Sequence, residues 1–280
     1  MSSLTTSPKR VLITGCSSGI GRAAALYLAK DGYQVIATAR PGDDLSSLES
    51  EENITTDHFD LIDSSQCEEA IKKHGHIDVL VNNAGYGLLG PLEMLPDDRL
   101  KHQFDVNVFG AMRTAKLVLP QMRERGNGAI INIGSVAGKV TYALGGAYCA
   151  TKHAIEALSD ALRLELAPFG IRVVLIEPGT IDTKFYENAN SYAVHTGVEE
   201  SSPYHDFASV MKEIINQPSG SPPEVVCKAI VKAIESSNPP PRIPVTWMGK
   251  TFLFLKWLFP DRLMDGVLRR FQKLPKNLSS

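Results

Sequence analysis

The stretch Thr14-Gly-Cys-Ser-Ser-Gly-Ile-Gly21 stands between a short apolar run, Arg10-Val-Leu-Ile-Thr14, and an alanine- and leucine-rich segment from Ile20 to Lys30. The apolar run reads as a buried strand ended by Gly15, and the second segment as a helix closing at Asp31-Gly32. Glycines are needed where a strand turns sharply into a helix and where backbone must approach a pyrophosphate closely. The helix N-terminus then offers unpaired N–H groups and a positive dipole end to phosphates. The spacing is G-x-x-x-G-x-G rather than the commoner G-x-G-x-x-G. A glycine-rich turn without a ligand is the alternative, but the strand–turn–helix context favours a dinucleotide. Gly15, Ser17, Ser18, Gly19, Ile20 and Gly21 are the residues placed at it.

Further strands are predicted over Tyr33–Thr38, Ile54–Leu61, Ile77–Val81, Ala129–Gly134 and Ile171–Glu177, with a last one over Arg242–Thr246. Helical patterns alternate with them at Glu68–Lys73, Leu100–Met122, from Tyr148 to Phe169, and at Glu224–Glu235. That alternation predicts one α/β domain, a doubly wound parallel sheet with helices on both faces. Ligands in such sheets bind beyond the carboxyl ends of the strands. The glycine loop, Arg40, Asp60 and Asn83 all fall at that edge. An acidic residue about 20 positions past the glycine loop would select NAD through the ribose hydroxyls. Arg40 occupies the place instead, and a guanidinium pairs with a phosphate dianion. NADP(H) is the expected cofactor.

A second constellation is Ser135 with Tyr148-x-x-x-Lys152. Positions i and i+4 of a helix share a face, so the phenol and the ammonium can meet. Bringing a phenol from its usual ~10 to neutrality takes about 4 kcal/mol. A cation ~4 Å away supplies most of that at an effective dielectric of ~20. The pair can therefore act as a positioned general acid/base. Asn107, inside the long helical pattern, is a poor helix-interior residue unless its side chain is used.

Formal net charge is −2, without the basic excess that nucleic-acid binding requires. The four cysteines, Cys16, Cys67, Cys149 and Cys227, have neither disulfide-framework nor metal-ligand spacing. Cys149, beside Tyr148, reads as packing. Met1–Arg10 lacks the apolar core of a signal peptide, and no apolar run reaches the ~18 residues of a spanning helix. The expected location is cytoplasmic.

Taken together and in order, Thr14-Gly-x-x-x-Gly-x-Gly21, Asp60, Asn82-Asn-Ala-Gly85, Asn107, Ser135, Tyr148-x-x-x-Lys152 and Pro178-Gly179 resemble the short-chain dehydrogenase/reductase family over roughly residues 9 to 185. The resemblance implies a Rossmann-type fold and hydride transfer between a nicotinamide cofactor and a carbonyl or alcohol. It implies Tyr148 as proton donor and acceptor, Ser135 polarising the substrate oxygen, and both residues touching substrate. Lys152 would hold the nicotinamide ribose and Asn107 a water of a proton relay. Asp60, with Leu61 beside it, would meet the adenine. Asn83, Ala84 and Gly85 would line the adenosine ribose side. Pro178, Gly179, Ile181 and Thr183 would approach the nicotinamide, the last two at its carboxamide. Many NADP(H) members carry a basic residue in the glycine loop. Here Ser17 and Ser18 stand there, so hydroxyls would have to assist Arg40.

The C-terminal third departs from a minimal member. A substrate loop is expected over about 184–223, with Phe185, Tyr186, Tyr192, His195, Tyr204, Phe207 and Met211 suggesting either an apolar ligand or ordinary packing of the loop on the body. The catalytic domain is taken as 1–246 and a tail as 247–280. Phe252-Leu-Phe-Leu-Lys-Trp-Leu-Phe259 is densely apolar, and Leu263, Met264, Val267, Leu268 and Phe271 recur at helical spacing with Arg262, Arg269, Arg270 and Lys273 between them. Such a tail serves as a substrate-site lid or a subunit contact ahead of a peripheral membrane contact. The pattern is similar to the hydroxysteroid and retinol dehydrogenase branch, with yeast-type acyl-dihydroxyacetone-phosphate reductases nearby. It implies a lipophilic small-molecule substrate and a homo-oligomer. Two other functions stay open: a redox sensor that binds NADP(H) without turnover, and a peripheral membrane protein driven by its tail.

Overall fold

Seven strands pair in parallel: the five inner ones are apolar on both faces, the edge strands are more polar and less buried, and a crossover helix returns the chain after most of them. The computed structural model of the chain describes residues 8–185, 202–207, 210, 214 and 220–274. In chain order the elements are β1 (Arg10–Thr14), α1 (Gly19–Lys30), β2 (Gln34–Ala39), α2 (Ser46–Glu49), β3 (Ile54–His58), α3 (Ser64–His74), β4 (Val79–Asn82), α4 (Asp97–Phe104) and α5 (Ala111–Arg125). They continue as β5 (Gly128–Ile133), α6 (Gly146–Leu166), β6 (Ile171–Glu177), α7 (Glu224–Glu235), β7 (Arg242–Pro244), α8 (Trp247–Leu258) and α9 (Asp261–Phe271). The strand order is β3-β2-β1-β4-β5-β6-β7, doubly wound about β1 and β4.

Alternation along β1 sorts its residues to two cores. Val11 and Ile13 join Val35, Ala37 and the inner faces of α1 and α7, while Leu12 joins Ile36, Leu80, Ile130 and residues of α5 and α6. The central strands are tied by a buried polar chain. Asn82 Nδ2 donates to Asn132 Oδ1 at 2.9 Å, Asn132 Nδ2 donates to Ser159 Oγ at 2.8 Å, and Thr114 Oγ1 donates to Asn82 Oδ1 at 2.7 Å. Each buried amide is thus satisfied, and β4, β5, α5 and α6 are locked in one register.

Several boundaries differ from the sequence expectation, two of them for reasons the hydrogen bonds supply. The third strand ends at His58, not Leu61, because Asp60 N donates to Gln66 Oε1 and the chain turns into α3, capped by the Asp63 side chain on the N–H groups of Ser65 and Gln66. The helix expected over Leu100–Met122 is α4 and α5 joined by a π-helical turn, Asp105–Gly110, which contains Asn107. Such a turn adds a residue to the helical repeat and re-aims a side chain. The Asn107 amide is used: its Oδ1 accepts from Tyr86 N at 3.0 Å, and its Nδ2 donates to Tyr86 O at 2.9 Å and to Thr151 Oγ1 at 3.2 Å.

At the β6–β7 end, two buried acids from distant segments meet. Glu177, the last residue of β6, shares a hydrogen bond with Glu156 of α6, and burial followed by that neighbour holds the Glu177 carboxyl above its usual range. Glu156 Oε2 in turn accepts from Lys139 Nζ at 2.7 Å and Arg242 Nε at 2.9 Å, while Arg242 Nη2 reaches Asp160 at 2.5 Å. A carboxyl–carboxylate hydrogen bond needs a proton. The folded state therefore binds more protons than the unfolded chain above the ordinary carboxyl value of 4.5. Stability from this pair is full below that value and is lost as pH rises through the raised folded value. Glu177→Gln keeps a donor toward Glu156 and removes the titration. The variant should lose less melting temperature than the parent between about pH 5 and about pH 8, read by thermal denaturation at both; an equal loss in both proteins would remove Glu177 from the linkage.

Candidate active site

Thr14 closes β1, and its side chain gathers the next strand. Thr14 Oγ1 accepts from Asn83 N at 3.1 Å and Ala84 N at 3.0 Å, and Asn83 Nδ2 donates to Thr14 O at 2.8 Å and Gly15 O at 3.1 Å. The glycine loop is thereby fastened to the end of β4. Gly15 has φ +74°, and a Cβ there would stand 2.8 Å from Ala84 Cα; at Gly21 a Cβ would lie 2.2 Å from the Gly15 carbonyl oxygen. No L side chain fits either place without moving backbone. The result is a tight cradle at the start of α1. Ser18 precedes the helix and its hydroxyl makes no cap hydrogen bond, so the first-turn N–H groups are left for an anion.

This cradle opens into a cavity of about 1500 Å³, larger than the ~300–1,000 Å³ of a typical small-ligand site. Every catalytic and cofactor-binding residue expected from the sequence lines it except Gly21 and Asn107, whereas the loop aromatics Tyr204 and Phe207 do not line it, and Phe207 packs beside Leu89, Leu144, Val210 and Ile214. Gly21 lies under the loop and Asn107 behind Tyr86, so both shape the site from outside. The donors, the uncapped helix and the missing Cβ atoms fit a dinucleotide pyrophosphate at the β1–α1 end. At the β2 end, Arg40-Pro-Gly-Asp43 forms a turn with Asp43 N on Arg40 O at 3.1 Å and Gly42 at φ +90°. Proline then glycine is the pairing a type II turn requires. The turn brings Asp43 against Arg40 Nε at 3.0 Å and within 3.3 Å of the Ser17 hydroxyl. Asp43 was not marked from the sequence; the Pro-Gly pair was the available signal.

The opposite end of the cavity holds the second constellation. Ser135 follows β5, its Oγ accepting from Ala137 N at 3.1 Å and donating to Pro178 O at 3.4 Å. Tyr148 and Lys152 share one face of α6, with Lys152 Nζ 5.7 Å from the centre of the phenol ring. Lys152 Nζ donates to Ile133 O at 2.7 Å, anchoring the amine to the end of β5. Burial pushes the Lys152 ammonium down to about 8, so it stays charged at neutral pH with little to spare. Cys149 packs in a small cluster with Ala137 and Tyr148, and burial pushes its thiol up to about 11, which suits packing rather than chemistry. Tyr142 and Phe185 pack beside the phenol, and the cavity lining continues with Val136 and Val140 and with Trp247, Met248, Phe252, Leu268 and Phe271 contributed by α8 and α9. Of the loop aromatics, Tyr186, Tyr192, His195 and Met211 lie outside the described residues.

Residues 9–193 match the short chain dehydrogenase family. The chain belongs to that family. Among its relatives, the uncharacterized oxidoreductase YbbO of Escherichia coli K12 is 37% identical over 93% of this chain and 94% of its own length. The 3-ketodihydrosphingosine reductase of Bacteroides thetaiotaomicron is 37% identical over 94% of this chain and 98% of its own. Retinol dehydrogenase 8 of Bos taurus is 36% identical over 91% and 86%. Of solved structures, a short-chain dehydrogenase from Streptomyces avermitilis superposes with a TM-score of 0.80 at 33% identity, covering 96% of this chain and 98% of that one. The closed form of a serine dehydrogenase complexed with NADP+ superposes with a TM-score of 0.73 at 28% identity, covering 84% and 93%. As a short-chain dehydrogenase the chain is an oxidoreductase acting on CH–OH groups, and its apolar C-terminal extension accompanies an otherwise complete set of family motifs.

Proposed function

We propose that this short-chain dehydrogenase interconverts a carbonyl and an alcohol on a lipophilic substrate with NADP(H), using Tyr148 as the general acid/base. The observation that carries the reading is the position of the Tyr148–Lys152 pair. The pair lines the same cavity as the glycine loop and the apolar side chains of α8 and α9, so a cofactor and an apolar substrate can share the space beside it. A nicotinamide dinucleotide bound along the crevice would supply or accept the hydride.

The chain's own residues do the rest. Gly15 to Gly21 and the first turn of α1 hold the pyrophosphate, and Arg40, oriented by Asp43, meets a 2′-phosphate. Asp60 and Leu61, at the wall beside β2, take the adenine, and Asn83 to Gly85 the ribose next to it. Gly179, Ile181 and Thr183 fix the nicotinamide end. Ser135 Oγ donates to the substrate oxygen, and Tyr148 Oη gives that oxygen its proton or takes it back. Lys152 stabilises phenolate through space and holds the ribose. Asn107, through Tyr86 and Thr151, keeps α6 at its depth, and it would hold a water of the proton relay.

Two relatives, a 3-ketodihydrosphingosine reductase and a retinol dehydrogenase, support a lipophilic substrate, and the NADP+ complex of a structural neighbour supports the phosphorylated cofactor. The test is NADPH oxidation against keto-sphingoid bases, steroid and retinoid carbonyls, fatty ketones and acylated glycerol-phosphate ketones, each beside a short polar analogue. Each buried methylene is worth ~0.8 kcal/mol, or about fourfold, so kcat/KM should climb with chain length. Preference for short polar ketones would overturn the substrate class. Cofactor binding with no turnover on the whole panel would instead return the redox-sensor alternative.

A further inference from the structure

We propose that the α8–α9 hairpin is a docking surface for an anionic lipid bilayer, and that it seats the cavity mouth on the membrane interface. The hairpin is fixed to the body rather than trailing from it. Thr246 Oγ1 caps α8 by accepting from Gly249 N at 3.1 Å. Gly249 sits so close to the body that a Cβ would come within 2.8 Å of Val136 Cγ2, and Met264 of α9 is 2% exposed. Gln272 Oε1 accepts from Ala143 N at 3.0 Å. One side of the hairpin is therefore spent on walls of the cavity, through Phe252, Leu268 and Phe271.

Its other side is apolar and stands uncovered among the described residues. Of the twelve exposed large apolar side chains among the described residues, seven lie between 247 and 271. Trp247 and Trp257, the only tryptophans of the chain, are 81% and 79% exposed. Phe254 and Leu258 fall at i and i+4 of α8, with Trp257 beside them and Leu263 exposed on α9, while Trp247 both lines the cavity and stands open to solvent at its edge. Tryptophan is the side chain that settles at a membrane–water boundary, its ring apolar and its N–H wet.

Charge decides which occupant fits. Residues 247–274 carry six Lys or Arg against two Asp, while the whole chain has a net charge of −2. The positive charge is thus concentrated on the segment that also exposes the apolar stripe. A second copy docking on this face would bring like charges together, whereas anionic headgroups complement it. No helix among the described residues is long and apolar enough to cross a membrane, so the contact is lateral, an amphipathic hairpin lying in the interface. Docking in this pose brings lipid tails next to the cavity walls. That consequence for substrate entry rests on the lipophilic-substrate reading above, whereas the docking itself does not.

The experiment uses the full chain and vesicles of phosphatidylcholine alone or with phosphatidylserine. Flotation should carry the protein with the anionic vesicles and ~10-fold less with the neutral ones, with loss at high salt. Because Trp257 lies on the surface in question and Trp247 stands exposed at the cavity edge, their emission should shift to the blue on adding anionic vesicles. Trp257→Glu, and separately Arg262→Glu with Arg270→Glu, should lower binding ~10-fold while leaving the melting temperature and turnover on a short soluble ketone unchanged. Absence of flotation with anionic vesicles overturns the proposal. So does a concentration-dependent dimer in sedimentation that Trp257→Glu abolishes, which assigns the face to a second copy. If no carbonyl is ever turned over, flotation still gives its answer, so the two readings fail separately.

Discussion

Tyr148→Phe is expected to lower kcat for carbonyl reduction by ~10²–10⁴-fold, the range that a positioned general acid contributes, and to leave NADPH binding near its parent value. The substitution is clean because the ring is retained. Tyr148 is buried and packs against Phe185 with ring centres 5.3 Å apart, and a phenylalanine keeps that contact. Lys152 keeps its hydrogen bond to Ile133 O, so the amine does not follow the missing hydroxyl. The loss should therefore fall on kcat, with small changes in KM and in melting temperature, since only a transition-state contact is removed. Steady-state kinetics with the best carbonyl of the panel, beside NADPH fluorescence titration, separates the two. A variant that keeps more than a tenth of the parent turnover would take the phenol out of the chemistry.

Arg40→Asp is expected to move the ratio of KM for NADH to KM for NADPH by ~10²–10³-fold toward NADH. Losing a charge-assisted hydrogen bond costs ~1.5–3 kcal/mol, or about 10- to 150-fold in affinity. A carboxylate in the same place adds repulsion to a 2′-phosphate and an acceptor for the free 2′-hydroxyl of NADH. The position allows the exchange without collateral damage, since the Arg40 side chain is more than half exposed and its partner Asp43 is held by the turn. Asp43→Asn should weaken NADPH alone and by less, because it loosens the guanidinium without removing it. Both are read from initial rates with the two cofactors, and an unchanged ratio in Arg40→Asp would place 2′-phosphate recognition elsewhere.

The tail shows how far a pattern can be read before packing has to speak. Its amphipathic spacing was visible in the sequence, and so was the choice among lid, subunit contact and membrane. That Phe252, Leu268 and Phe271 face the cavity while Trp257 and Leu258 face away follows from how Gly249 and Gln272 seat the hairpin on the body. Periodicity states that a helix has an apolar side, but not which neighbour covers it or whether two sides are used at once.

The same division runs through the whole chain. Near-continuous apolar runs, the glycines at 15 and 21, and the i, i+4 spacing of Tyr148 and Lys152 are local properties. They determined the parallel α/β sheet, the strand–turn–helix cradle and the face shared by phenol and amine, because neighbours along a strand or helix have one geometry. The π-helical turn around Asn107, the Asp43 clasp on Arg40, the acid pair of Glu156 and Glu177 and the covering of the cavity by α8 and α9 were decided only in the tertiary structure. Each depends on residues far apart in sequence being carried to one place, and that placement is set by the packing of the entire sheet and its helices, which no local pattern encodes.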